Sequence, residues 1–348
     1  MLTFHTVATQ LRRARTELDG GVLVAPYECP ERVDLVLKRI QQARLGEVRE
    51  PEAFGLEPVL AIHDPDYVQF LAECWEQWCA LGRKGEAIAW IWPTRTMPGD
   101  VIPDHLDGRL GHYALSADTS ICEGTFEAAQ ASKDIALSAV RHSLTTGEPA
   151  FGLCRPPGHH AASDQFGGYC FFNNAGVAAQ YALDSGKHRV AILDVDFHHG
   201  NGTQQIFYER DDVFFASIHG DPRHCFPYFL GHASEVGHGR GEGFNANYPL
   251  APGSAFDVWV QALDDALARL RAAECELLIV SLGVDAFEDD PISEFKLTSD
   301  DFSEMGRRLA GLGVPTTFLM EGGYAVEAIG TNVVNVLQGF EEASATHP

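Results

Sequence analysis

Val190-Ala-Ile-Leu-Asp194-Val-Asp196-Phe-His198-His-Gly-Asn-Gly202 opens as an unbroken apolar run and closes in polar residues and glycines. Val190 to Leu193 has the aliphatic continuity of a strand buried on both faces. Asp194, Asp196 and His198 follow at alternate positions. Alternate side chains of an extended chain point the same way, so two carboxylates and an imidazole share one face while Val195 and Phe197 pack on the other. His199-Gly-Asn-Gly then ends the strand in a flexible turn. Open α/β sheets carry their chemistry just beyond the carboxyl ends of strands, which is where this cluster falls.

Two buried carboxylates side by side repel, and either is costly unpaired. A divalent cation relieves both, and Asp with His makes half a site for one. The competing reading is a strand end whose acids bond to helix N-termini and whose histidines are solvated.

With 348 residues, 45% hydrophobic and 21% charged, the composition is that of a soluble globular chain, long enough for one large α/β domain. No apolar stretch approaches the roughly 20 residues needed to span a bilayer. Met1-Leu-Thr-Phe-His-Thr6 lacks the basic flank and apolar core of a signal peptide, so a cytoplasmic enzyme is expected. The formal charge of −24 argues against nucleic acid and anionic membranes as partners and is compatible with a cationic small substrate, although solubility accounts for it equally. Cys29, Cys74, Cys79, Cys122, Cys154, Cys170, Cys225 and Cys275 form no CxxC pair, which suits reduced, mostly buried thiols. Cys154 and Cys170 sit in apolar runs and read as packing residues.

From about residue 125 helical patterns alternate with short apolar strands. Helices are expected at 126–144, 174–183, 256–270, 302–309 and 329–340, and strands at 150–154, 189–193, 213–218, 277–282 and 316–320. That rhythm signals a mainly parallel sheet with helices on both faces. Earlier, 32–42 and 67–78 read as helices, whereas 82–124 shows little periodicity. An irregular stretch of that length is a lid, a dimer contact or a satellite core holding Trp75, Trp78, Trp90 and Trp92. No internal repeat or linker divides 1–348, so a single domain is expected.

Four further stretches complete a site. Arg155-Pro-Pro-Gly-His159-His160-Ala161 is a rigid turn that presents tandem histidines at a strand end. Neighbouring histidines point apart, so each needs its own partner. A carboxylate such as Asp194 would fix one tautomer and leave the other ring free to move a proton. Gly167-Gly-Tyr169-Cys-Phe-Phe-Asn-Asn174 brings glycines and aromatics to a helix capped by Asn173 or Asn174, with Tyr169 either walling a channel or joining a core patch. Ser281-Leu-Gly-Val-Asp285 is another buried strand ending in an acid, placed for a third metal ligand, while Glu288, Asp289 and Asp290 read as a solvated face or helix start. Leu319-Met-Glu321-Gly-Gly-Tyr324 ends the last strand in a glycine pair and a phenol able to donate to a developing oxyanion. Gly239-Arg-Gly-Glu-Gly243 lacks the Walker lysine and dinucleotide spacing and reads as a loop.

Taken together these motifs, with Ser217-Ile-His-Gly-Asp-Pro, resemble in order and spacing those of the arginase–deacetylase superfamily, and within it the bacterial acetylpolyamine amidohydrolases, relatives of the histone deacetylases. The resemblance runs from the first strand to the final helix. It implies one α/β domain around an eight-stranded, mainly parallel sheet. It also implies zinc-dependent removal of acetyl groups from N-acetylated polyamines, with Zn2+ at Asp196, His198 and Asp285. Fe2+ or Co2+ would suit the same donors. His159 and His160 would transfer protons, Tyr324 would meet the substrate carbonyl, and Tyr169 and Phe226 would wall a tunnel. A structural K+ would be held by Asp194, Asp196, His198, Ser217 and Ile218, and a homodimer narrowed by residues 82–124 is expected. Asn201 stands where many histone deacetylases carry Asp, which should make its histidine partner less basic. Glu17, Asp107 and Asp118 fall where the polyamine branch carries acids near the mouth, and each reads equally as surface charge. Rival functions are a protein acetyl-lysine deacetylase, a non-catalytic acetyl-ligand binder, and a urea-forming hydrolase with two manganese ions.

Overall fold

Residues 1–345 are described by the structure, a computed structural model. The main sheet is built from β1 (Leu2–Phe4), β4 (Val48–Arg49), β5 (Ala150–Gly152), β6 (Val190–Asp194), β7 (Val213–Gly220), β8 (Asn245–Leu250), β9 (Leu278–Leu282) and β10 (Thr316–Met320). Their spatial order is β4-β1-β5-β10-β9-β6-β7-β8, and every ladder is parallel. A separate antiparallel hairpin joins β2 (Glu17–Asp19) to β3 (Val22–Val24). The helices are α1 (Glu31–Ala43), α2 (Glu57–Leu60), α3 (Pro65–Ala80), α4 (Leu106–Tyr113), α5 (Thr125–Thr146), α6 (Asn174–Asp184), α7 (Asn201–Phe207), α8 (Phe256–Ala272), α9 (Ser299–Ala310) and α10 (Ile329–Ser344).

Parallel crossovers are right-handed, so the direction of travel across the sheet selects the face each helix covers. The chain moves one way from β5 to β6 to β7, through α6 and α7, and returns from β8 to β9 to β10, through α8 and α9. The two directions put their helices on opposite faces. Packing agrees: α5 lies on α6, whereas α10 packs on α9 and α1, and α8 on α9.

Register explains where the chemistry begins. Phe151, Phe318, Val280, Leu193 and Ala216 lie side by side across five strands, all buried. The next row toward the carboxyl ends is Gly152, Leu319, Ser281, Asp194 and Ser217, where aliphatic packing gives way to polar groups.

The expected helices and strands from residue 125 onward are present, with β10 at its expected bounds. The short strands β1, β4 and β8, the hairpin and α7 were not foreseen. They are brief, β1 finds its partners β4 and β5 far along the chain, and the hairpin is largely exposed. Residues 82–124 divide between two environments. Leu106, Leu110 and Tyr113 bury one face of α4, a helix the two glycines of its sequence obscured, and they join Tyr67, Phe70, Trp78 and Phe171 in a second core. Trp75 and Trp92 pack against that core, while Trp90, Ile91, Met97, Val101 and Ile102 are exposed.

Glycines allow α9 and α10 to meet backbone to backbone behind β9 and β10. A Cβ on Gly306 would come within 2.0 Å of the Val336 carbonyl oxygen, and one on Gly339 within 2.1 Å of that of Ser303. Gly306→Ala is therefore expected to lower unfolding stability in urea by ~1–3 kcal/mol through overpacking. An unchanged midpoint would show that the helices part without cost.

Candidate active site

Four consecutive strands, β5, β10, β9 and β6, deliver their carboxyl-end loops to one place. Asp196, His198 and Asp285 offer ligand atoms that lie within 4.8 Å of one another. The route there differs from the expected extended chain. β6 stops at Asp194, and the loop beyond it bends because carboxylates capture nearby amides: Asp194 Oδ1 accepts from the Asp196 N–H (3.1 Å) and Asp196 Oδ1 from the His198 N–H (2.9 Å). The residues after His199 do not form a free turn, since α7 starts at Asn201. His198 Nδ1 sits 3.1 Å from Asp285 Oδ2 and 3.4 Å from Asp196 Oδ1.

Backbone amides hold both acids in place. Phe197 N–H donates to Asp285 Oδ1 (2.7 Å) and Gly322 N–H to Asp196 Oδ2 (2.8 Å). Burial, followed by the charge of Asp196, pushes the Asp285 carboxyl up. Burial disfavours a charged His198, but bonds to Asp196 and Asp285 outweigh it and raise the imidazole to about 10. Such a set, two carboxylates and an imidazole crowded in a dry pocket with His198 facing a cavity, suits a divalent cation with an open position. A Cβ on Gly322 would lie 2.5 Å from Asp196 Oδ2 and 2.6 Å from Asp285 Oδ2, so only glycine leaves these donors room.

The tandem histidines take separate partners, their ring centroids 4.0 Å apart. His159 Nδ1 lies 2.9 Å from Asp194 Oδ2, and His160 Nδ1 lies 2.7 Å from Asn201 Oδ1. Asn201 Nδ2 donates to the His160 carbonyl, which turns its oxygen toward the ring, so His160 carries its proton on Nδ1 and leaves Nε2 basic. Burial opposes charge on both rings. The charges of Asp196 and Asp194 overcome it for His159, raising that ring well above the ordinary range. For His160, burial and the neighbouring His159 and His198 push the pKa well below it.

Tyr324 packs edge-on against Tyr169, with centroids 5.6 Å apart, and the Arg32 guanidinium lies 4.8 Å from its ring centre. Burial raises the phenol well above its usual range, so it stays protonated. Phe226 stands 5.0 Å from the His160 ring on the other side. Tyr169, Phe226, Tyr324, His160, His198, Glu17 and Asp118 all line one cavity of about 620 Å3. Glu17 accepts from the Tyr169 hydroxyl (2.6 Å) and the Tyr27 amide (3.1 Å), and burial pushes its carboxyl up to about 6 against those bonds. Asp118 is engaged by Ser116 (2.8 Å) and Thr119 (2.6 Å). Asp107 does not reach this cavity: it is paired with Arg83 at the start of α4, which neutralises it. Ser217 lies beside Asp194 in the sheet with its hydroxyl 2.8 Å from His219 Nδ1, and Ile218 is buried next to it. A wider groove of about 810 Å3, lined by Arg13, Arg15, Glu86 and Trp75 among others, contains none of the converging groups.

Several residues were not anticipated. Asp290, expected on a solvated face, is buried and accepts from the Tyr324 amide (2.7 Å). The Asp-Pro step after it was the one local hint of a turn. Glu321, also buried, accepts from the amides of Gly158 (2.6 Å) and His159 (3.2 Å), and burial pushes it up to about 7. Its carboxylate lies within 4.8 Å of His159 and Cys170, so Cys170 packs directly behind the site. Arg155, Arg12 and Arg32 surround buried Glu28, and their charges hold its carboxyl down against burial. Nothing local announces that cluster, whose members come from three separate segments.

The sequence profile of the histone deacetylase domain matches residues 26–340. The chain belongs to the histone deacetylase domain family. It is 54% identical over 331 residues to the acetylpolyamine amidohydrolase of Mycoplana ramosa, covering 95% of this chain and 96% of that protein. Acetylpolyamine amidohydrolase 2 of Pseudomonas aeruginosa is 53% identical over 341 residues, covering 98% and 99%. The crystal structure of acetylpolyamine aminohydrolase from Burkholderia pseudomallei superposes with a TM-score of 0.94 at 37% identity, over 99% of each chain. The family is generally metal-dependent, and Asp196, His198 and Asp285 form a candidate metal-binding group. Among the described residues no helix is long and apolar enough to cross a membrane.

Crowding at Gly322 makes a direct test of that ligand set. Gly322→Ala should weaken divalent-metal binding ~10–100-fold, read by competition with a chromophoric chelator. Unchanged affinity would place the metal elsewhere.

Proposed function

We propose that this protein hydrolyses the amide bond of N-acetylated polyamines or diamines, releasing acetate and the free amine. The observation carrying the proposal is the convergence of an unprotonated His160 Nε2, a protonated Tyr324 and the Asp196–His198–Asp285 group on one cavity with acidic walls. Asp196, His198 and Asp285 would hold Zn2+, with Fe2+ or Co2+ as alternatives. Bound there, the ion supplies Lewis-acid polarisation of the acetyl carbonyl and lowers the pKa of the attacking water. His160 Nε2 takes the water's proton as the new C–O bond forms. The Tyr324 hydroxyl donates to the carbonyl oxygen as it gains charge. As the C–N bond breaks, His160 returns the proton to the departing amine. His159, held by Asp194, shapes the field around the reacting atoms.

Glu17, Asp19, Asp118 and Glu294 along the cavity give a cationic tail several carboxylates to meet, which supports a polyamine over a neutral amide. The resemblance supports a potassium ion at Asp194, Asp196, His198, Ser217 and Ile218. Buried Asp194, whose carboxyl burial pushes up, has reason to sit beside a cation. Exposed Trp90, Ile91, Met97, Val101 and Ile102 support a homodimer contact within 82–124, and the cytoplasm is the inferred compartment. The second reading is an acetyl-lysine deacetylase, favoured by the match to the histone deacetylase domain.

Three outcomes test this reading. Tyr324→Phe should retain fold and metal but lose at least ~100-fold in kcat; near-normal turnover contradicts the assigned role. Acetylputrescine should be turned over in preference to an acetyl-lysine peptide, and the reverse preference selects the second reading. Because Glu17 is raised to about 6, its carboxylate is lost as pH falls through that value, so KM for acetylputrescine should rise below pH 6. Glu17→Gln should show the high KM at every pH, and retention of the wild-type profile would remove Glu17 from amine recognition.

A further inference from the structure

The phenol of Tyr324 is carried by the segment Glu321-Gly322-Gly323-Tyr324-Ala325, which lies between β10 and α10 and is neither strand nor helix. Main-chain bonds fix its start, from Glu321 N–H to the Leu282 carbonyl (2.9 Å) and from Val284 N–H to the Gly322 carbonyl (3.0 Å), and side chains from elsewhere hold the rest. Arg32 donates to the carbonyls of Glu321 (2.6 Å) and Gly323 (2.7 Å), and Gly322 N–H donates to Asp196 (2.8 Å). The amides at the Tyr324 end meet a single group: Asp290 Oδ2 accepts from Tyr324 N–H (2.7 Å) and Ala325 N–H (3.1 Å). Asp290 Oδ1 accepts from Ile292 N–H (3.2 Å), and Ile292, with Pro291, Ser293 and Glu294, lines the cavity opposite Glu17 and Tyr169.

Building on the role given to Tyr324 above, we propose that Asp290 is a positioning residue whose carboxylate ties the cavity wall at Ile292 to the backbone of Tyr324 and so sets the placement of the phenol over the acetyl oxygen. The argument is one of leverage. Gly322 and Gly323 contribute no side chains to fix the segment, and Gly323 adopts φ of 126°, a conformation open chiefly to glycine. Without an acceptor at Asp290 two amides lose their partner, and the simplest relaxation is a turn of the segment that carries Tyr324 away. Misplacing a reacting group by about 1 Å costs ~100-fold in rate. Asp290 does not line the cavity, and its charge also reaches the Asp285 carboxyl, so metal content has to be followed beside turnover to isolate the effect that passes through Tyr324.

A double-mutant cycle separates positioning from bulk stability. Asp290→Ala should lower kcat on acetylputrescine ~10–100-fold with KM changed less than ~3-fold. In a Tyr324→Phe background the same change should alter kcat less than ~3-fold, because nothing remains to be positioned. Asp290→Asn, which keeps an acceptor oxygen, should recover most of the lost turnover. Chelator titration should find metal content unchanged in all variants. Equal kcat losses in both backgrounds, or a loss that follows metal content, overturns the proposal. Should Asp290→Ala fail to fold, Asp290→Ser carries the same cycle, its hydroxyl being too short to serve both amides. If Tyr324→Phe alone retains turnover, the reading of Tyr324 falls. If only Asp290→Ala retains it, this inference falls and that reading stands.

Discussion

Asp194, Asp196, Asp285, Asp290 and Glu321 lie buried in the carboxyl-end loops of the adjacent strands β6, β9 and β10. Charge in so dry a place costs several kcal/mol per group unless something compensates it. Each acid answers that cost differently. Asp194 faces His159, Asp290 collects three backbone amides, and Glu321 takes two amides from the histidine turn. Asp196 and Asp285 share His198, with two amides on Asp196 and one on Asp285, and the charge of Asp196 still pushes the Asp285 carboxyl up. A divalent cation between them would relieve that repulsion, which favours these two acids as a candidate ligand pair.

The same constraint organises the surroundings. Amides that serve the carboxylates come from loops of neighbouring strands, so each bond also locks one loop to the next: Gly158 and His159 to Glu321, Gly322 to Asp196, Tyr324 to Asp290. Glycines recur at these contacts because a Cβ would occupy the space of an acid, as at Gly283, which would meet Asp196 at 2.1 Å. On the far side of Tyr324 the charge balance inverts. Glu28 lies among Arg12, Arg32 and Arg155, and Arg32 links that cationic cluster to the Tyr324 segment. The phenol therefore stands at the boundary between an anionic and a cationic interior, held by both.

Environment also differentiates chemically similar residues. His159 and His160 are neighbours in sequence, yet a carboxylate partner makes one ring strongly basic while an amide partner and two nearby rings keep the other neutral. Glu17 and Asp107, both expected near the mouth, part in the same way: one lines the cavity beside Tyr169 and the other is neutralised by Arg83.

Sequence alone was enough for most of the alternation of elements after residue 125, all but α7 and β8, because buried parallel strands and amphipathic helices write their periods locally. It also sufficed to single out the candidate ligand and proton-transfer residues, since Asp196, His198, His159, His160, Asp285 and Tyr324 sit in short motifs at strand ends. Tertiary structure alone decided the rest. The bend after Asp194 depends on amides captured within a loop, and α4 depends on a second core assembled from distant aromatics. Asp290, Glu321 and the arginines around Glu28 owe their roles to partners up to 291 residues away, as in the bond from Arg32 to the Gly323 carbonyl. Local pattern reports which side chains want burial. Which charge ends beside which is settled only when the strands are laid in register.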